Sequence, residues 1–294
     1  MAALLEERIA ELQEDRTHGG SWMARRAVEA LVEFAHREPA SGEELLERLI
    51  DAGRELSACR PAMAGITGTI GRLLAAARAG VHLGDDELRR MLDDEATALI
   101  AGRDRAGHSI AIQLRERLTD ALVMTHSSSA TVREALLYTP PAKVICTVSA
   151  PFEEGRAFAE ELRGEGLEVE LVEDEDAPDA LAHASLLLVG ADTIFLDGSV
   201  CNKAGTAMLA AEAGAQGVPV VVASEVIKLA PIGPEDAYEF VRGERAFDIT
   251  PAEDVDEIVT EEGACASADL AALVDRTPFL RDGYQLLRPL RVNG

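Results

Sequence analysis

The period of the hydrophobic pattern changes near residue 120, and this change constrains the fold more than any other feature. Before it, LLEERIAELQ, AVEALVEFAH, GEELLERLIDAGREL, AGITGTIGRLLAAARA, DDELRRMLDDEATALIAG and IAIQLRERL carry apolar residues at i, i+3, i+4 spacing, the signature of amphipathic helices. Connectors such as THGGS, REPASG and CRPAMAG carry Gly, Pro or Ser. About six helices are predicted. After it, DALVMTHS, AKVICTVS, LEVELVED, ASLLLVGAD, VPVVVAS and DEIVTEE read as short strands, most separated by single helical patterns (ATVREALLY, EEGRAFAEELRGEG, NKAGTAMLAAEAGAQG). That alternation predicts an α/β domain with a doubly wound, Rossmann-like, mostly parallel sheet. The predicted organisation is a helical domain over 1–120 and the α/β domain over 121–294.

Charge narrows the function. With 28 Lys plus Arg against 53 Asp plus Glu, the chain carries a formal net charge of −25, which repels phosphate backbones and argues against nucleic-acid binding. Lysine is nearly absent: only Lys143, Lys203 and Lys228 occur. Acid excess with arginine in place of lysine is the composition of proteins that stay hydrated in salt-saturated cytoplasm, and a haloarchaeal origin is expected. Cys59, Cys146, Cys201 and Cys265 form no CxxC pair, so neither a metal site nor a disulfide framework is expected, and a reduced, cytoplasmic location fits. No secretory signal, transmembrane stretch or cofactor motif is read.

Ligands of doubly wound sheets bind at the carboxyl ends of the strands, so the strand exits matter most: Thr125 to Ser129, Val148 to Pro151, Gly190 to Lys203 and Ser224 to Lys228. In GADTIFLDGSVCNKAGTAMLAAEA, Asn202–Lys203 is placed at the head of a helix, where free N–H groups and a lysine make an anion site; a plain Asn cap is the competing reading. In THSSSATVREAL, His126 and the serines Ser127, Ser128 and Ser129 precede a helix and are either a phosphate cradle or a serine cap with a structural histidine. Lys228 lies in SEVIKLAP, before the turn-rich FDITPAEDVDEIVTEEG.

Together, THSxS, xGRxFAEEL, GADxIxxDGxVxNKxGTxxLA, SExxK and FDITPxxxVxxIVTEEG resemble the translation initiation factor 2B alpha/beta/delta family, a superfamily that also holds methylthioribose-1-phosphate isomerase and ribose-1,5-bisphosphate isomerase. The resemblance covers nearly the whole carboxyl half; in the amino half, Arg60–Pro61 looks like a family feature that lines the sugar-phosphate pocket. It implies a sugar-phosphate or nucleotide pocket holding Arg60, His126, the serine loop Ser127, Ser128 and Ser129, Ser199, Asn202, Lys203 and Lys228. It also implies a homo-oligomer built on dimers and, for regulatory members, engagement of translation initiation factor 2.

The departures bear on activity. The isomerases resembled use a cysteine directly after the TH of the first loop and an aspartate in the loop leading to NK. Here those positions are Ser127 and Ser199. Asp197 and Cys201 are the displaced candidates. An ESRP-type motif is replaced, with Val148 and Ala150 at two of its places, although Arg156 survives nearby. The leading expectation is a non-catalytic regulatory protein that senses a phosphosugar or nucleotide. An isomerase that recruits Asp197 or Cys201 is the second reading, and a structural oligomerisation subunit with a dead pocket is the third.

Overall fold

The computed structural model describes residues 2–15, 18–236 and 246–287. It contains two compact units, one of residues 2–102 with 273–287 and one of residues 103–272; the sequence reading put its boundary at residue 120.

The first unit opens with α1 (Ala2–Glu14), α2 (Gly20–Arg37), α3 (Gly42–Ala58) and α4 (Ala64–Gly80). Their apolar stripes meet in a core that includes Leu31, Leu45, Leu49, Leu56, Ile66, Ile70 and Leu74. The last two predicted helices are one, α5 (Asp85–Leu118), which corrects the expected count of about six to five α-helices among the described residues before residue 120. Gly102 and Gly107 lie at or within the gap between the two predicted runs, but a helical glycine costs only about 1 kcal/mol relative to alanine, and the segment has no proline. Gly107 is useful as it stands: a Cβ there would lie 2.1 Å from Glu134 Oε2.

The second unit begins within α5 and holds the predicted sheet. Strands β1 (Leu122–Thr125), β2 (Lys143–Thr147) and β3 (Val169–Val172) alternate with α6 (Ala130–Tyr138) and α7 (Glu154–Gly164). After α8 (Ala177–Leu181) come β4 (Leu186–Val189), β5 (Thr193–Ile194), β6 (Val200–Lys203), α9 (Thr206–Gln216), β7 (Val220–Ala223), β8 (Phe247–Thr250), β9 (Glu257–Thr260) and β10 (Gly263–Cys265). The main sheet has the order β10-β9-β7-β4-β1-β2-β3. It is parallel except at the β9–β10 edge. Val123, Val144, Leu188 and Val221 from the strands pack with Ile110, Leu114, Leu136, Phe158 and Leu162 from the helices. The chain then returns to the first unit through α10 (Leu270–Asp275) and α11 (Pro278–Leu287).

A second sheet, β5-β6-β8, is antiparallel and was not read from the sequence. It corrects the placement of Asn202 and Lys203, which lie on strand β6 and not at a helix head; the following helix starts at Thr206. The segment FDIT, read as turn-rich, is strand β8 paired to β6.

Candidate functional site

Strands β1 and β2 end side by side, with Thr125 opposite Cys146. The exit of β1 delivers His126, which is buried. Its Nε2 donates to the Ala204 carbonyl at 2.9 Å, so its Nδ1 accepts from the Thr147 hydroxyl at 2.7 Å. Burial pushes the His126 pKa down, more than the Ala204 hydrogen bond and the carboxylates Asp174 and Glu154 push it up. The imidazole is therefore neutral and structural at pH 7. Gly205 makes room for it: a Cβ there would sit 3.0 Å from the ring, and φ is +106°.

Ser127 and Ser149 face each other across the two strand exits, both in the left-handed region with φ +66°. Side-chain residues occupy that region at a cost, and such strain concentrates where a loop is held for a purpose. The Ser127 N–H donates to Ser149 Oγ at 2.7 Å. Asp174 fixes the second loop by accepting from the N–H groups of Ser149 (2.8 Å) and Ala150 (2.7 Å). Ser129 caps α6, accepting from the Val132 N–H, and Ser128 is exposed.

The centre of the cluster is Glu154, at the start of α7. Ser127 Oγ donates to its Oε1 at 2.7 Å. Lys203 Nζ lies 2.8 Å from Oε1 and 2.9 Å from Oε2. The ammonium also rests 4.5 Å from the centre of the Phe152 ring. Lys203 is 4% exposed, so this pair is its main compensation for lost hydration.

The hairpin between β5 and β6 turns at Asp197–Gly198, with Gly198 at φ +91°. Asp197 Oδ1 accepts from both the N–H (2.9 Å) and the hydroxyl (2.6 Å) of Ser199. Asp197 is exposed, whereas Ser199 and Cys201 are buried. Asn202 Nδ2 donates to Thr206 Oγ1 at 3.1 Å. At the head of α9, the N–H groups of Gly205 and Ala207 are turned to a carboxylate of the same chain. Asp248 accepts from the Gly205 N–H at 2.7 Å and lies 3.3 Å from the Ala207 N–H. Burial raises its pKa against the pull of those donors.

Lys228, after β7, is buried, donates to the Ala191 carbonyl at 2.9 Å and lies 3.3 Å from Glu225. Burial alone would raise Glu225, but Lys228, a backbone donor and Arg103 outweigh it and hold the carboxyl below its ordinary value. Arg156 is paired outside the cluster with Glu153 and Glu173, each at 2.9 Å. Arg60 belongs to the helical unit, where its guanidinium donates to the carbonyls of Leu12 and Asp15. Cys146 is inert within β2, its thiol pushed up to about 12 by burial.

The α/β unit therefore brings His126, Ser127 and Lys203 together, with Asn202 beside Lys203 on β6. Lys228 and the Asp197–Ser199 turn make separate sets of contacts. Sequence reasoning missed Glu154, Thr147, Ser149, Asp174 and Asp248. Glu154 sits three residues beyond the strand exit ending at Pro151, next to Gly155, and that neighbourhood was its one available signal.

A helical unit joined to a doubly wound α/β unit, with a polar cluster at the strand exits, defines the class. The sequence profile of the Initiation factor 2 subunit family matches residues 16–244, and the chain belongs to that family. It is 33% identical over 271 residues to a translation initiation factor eIF-2B subunit 2-like protein of Pyrococcus furiosus, covering 87% of this chain and 94% of the relative. It is 29% identical over 282 residues to a ribose 1,5-bisphosphate isomerase of Archaeoglobus fulgidus, covering 88% of each. Among solved structures, the translation initiation factor eIF-2B of Pyrococcus horikoshii OT3 superposes with a TM-score of 0.75 at 28% identity, covering 89% of this chain and 96% of that one. Among the described residues, no helix is long and apolar enough to cross a membrane.

Proposed function

We propose that this chain is a non-catalytic, initiation-factor-2B-like regulatory protein. The carrying observation is that the hydroxyls of Ser127 and Ser199, at the positions where the resemblance implies a thiol and a carboxylate, are both engaged by the chain's own acids. Ser127 Oγ is bound to Glu154 and Ser199 Oγ to Asp197. A free thiol ionises near pH 8.5 and a carboxyl near 4; a serine hydroxyl does neither, and proton transfer needs a group that titrates near the working pH. The two displaced candidates are poorly placed to take over. Cys201 has no solvent exposure, and Asp197 is engaged in holding its own turn.

The expected result is no turnover of ribose 1,5-bisphosphate above background in a coupled assay at molar KCl. Losing one positioned acid or base costs about 10²–10⁴-fold, and two are absent. Turnover that disappears in Asp197→Asn would overturn this reading in favour of an isomerase.

The reading includes association with copies of itself and with translation initiation factor 2, which light scattering and pull-down in high salt would test. It also includes adaptation to salt. At −25 net charge, carboxylates repel one another in dilute buffer, and about 1 M salt shortens the Debye length to about 3 Å. The melting temperature is expected to rise from about 0.1 M to about 2 M KCl; a flat profile in a calorimetric scan would contradict the adaptation.

A further inference from the structure

Four cationic or N–H donor sets at the strand exits of the α/β unit face a carboxylate of the same chain. Lys203 faces Glu154, the head of α9 faces Asp248, Lys228 faces Glu225, and Arg156 faces Glu153 and Glu173. At Lys203 the acid does more than neutralise. Both oxygens of Glu154 lie within 3 Å of the ammonium, and one also takes the Ser127 hydroxyl. An anion in that place would receive the same two donors. The third donor expected of the loop, the Ser127 N–H, is already bound to Ser149 Oγ.

We propose that Glu154 is the specificity-determining residue of this cluster: its carboxylate occupies the anion seat built by Ser127 and Lys203 and so excludes phosphate esters. This rests on the non-catalytic reading above and names what the cluster rejects. A phosphate entering the seat meets a negative charge held within hydrogen-bond distance of its own anchor, in surroundings where Lys203 is screened from water. Coulomb interactions at such separations are several-fold stronger there than in bulk solvent. The expected anchoring of a phosphosugar by Lys203 is thereby reversed. The lysine serves the internal carboxylate, and neutralising Glu154 frees it.

Calorimetric titration of the full chain with ribose 5-phosphate in high KCl tests this, with ribose as the uncharged control. The wild type is expected to show no saturable binding below roughly 10 mM. Glu154→Gln is expected to bind at least about tenfold more tightly, and adding Lys203→Ala to it should abolish the gain. Glu154→Ser, shorter and also neutral, is the second variant. Both substitutions leave the Lys203 charge buried without its acid; if either fails to fold, ribose 5-phosphate is expected to restore its thermal transition by filling the seat, and absence of rescue overturns the proposal. Equal affinity of the wild type and a folded variant, or a folded variant that gains nothing, also overturns it. Binding by the wild type without turnover of ribose 1,5-bisphosphate sinks this inference alone, whereas turnover sinks the reading it rests on.

Discussion

Gly155→Ala is expected to lower the melting temperature by roughly 6–12 °C and to release Lys203 from its acid. A Cβ at this position would lie 1.8 Å from the Thr147 carbonyl oxygen and 3.0 Å from the Val148 oxygen. Both are backbone atoms at the end of β2, so no side-chain rotation relieves the overlap. Gly155 also donates its N–H to Val148 O at 3.1 Å, which clamps the first turn of α7 onto the strand. The alanine must push that turn outward, and overpacking against fixed atoms costs typically about 1–3 kcal/mol, here at the upper end. At about 2–4 °C per kcal/mol for a chain of this size, 3 kcal/mol gives the stated shift. The same displacement carries Glu154 away from Ser127 and Lys203, its neighbours across 27 and 49 residues of chain. Differential scanning calorimetry reads the first effect, and a gain in ribose 5-phosphate binding reads the second. An unchanged melting temperature would show that the strand exit yields more easily than its hydrogen bonds indicate.

The main sheet is legible because its strands and helices announce themselves locally. ATVREALLY is α6 to the residue, and β1, β2, β3, β4, β7 and β9 fall inside the six predicted runs. The second sheet was missed because each of its strands is short and takes its pairing from far away: Val200 lies opposite Thr250, and Lys203 opposite Phe247. One local signal was available there. Asp197–Gly198, inside the strand exit Gly190 to Lys203, is a hairpin dipeptide. The cluster divides in the same way. The serines and lysine at the strand exits can be picked out by type and place. The acids that engage them, Glu154, Asp174 and Asp248, look like any of the 53 acidic residues of this chain. Acid enrichment hid them, because in such a composition one more carboxylate carries no signal until its donor is seen beside it.

The helical unit has its own fixed contact, and there Gly71→Ala is expected to destabilise although alanine favours helix. Gly71 on α4 faces Gly283 on α11, whose backbone returns to this unit from the far end of the chain. A Cβ added at Gly71 would lie 2.7 Å from Gly283 Cα and 3.0 Å from its carbonyl carbon; the reciprocal Cβ at Gly283 would lie 2.6 Å from Gly71 Cα. Two helices in backbone contact can admit a methyl group only by separating. Separation loosens Leu280, Tyr284 and Leu287, all buried on α11. Alanine in a helix interior is worth about 1 kcal/mol over glycine; the forced separation costs about 3 kcal/mol, the upper end for overpacking. The net loss is about 2 kcal/mol, or roughly 4–8 °C in melting temperature. Two comparisons separate the terms. Gly214, inside α9, has nothing within 4 Å of its would-be Cβ, so Gly214→Ala should stabilise by about 0.5–1 kcal/mol. Gly53 on α3 meets only side-chain ends, of Ile70, Leu74 and Leu287. Side chains give way more readily than backbone, although Ile70 and Leu74 are fully buried, so Gly53→Ala should fall between the other two. If all three alanines stabilise alike, propensity outweighs contact at Gly71 and the helices are not held as closely as their glycines allow.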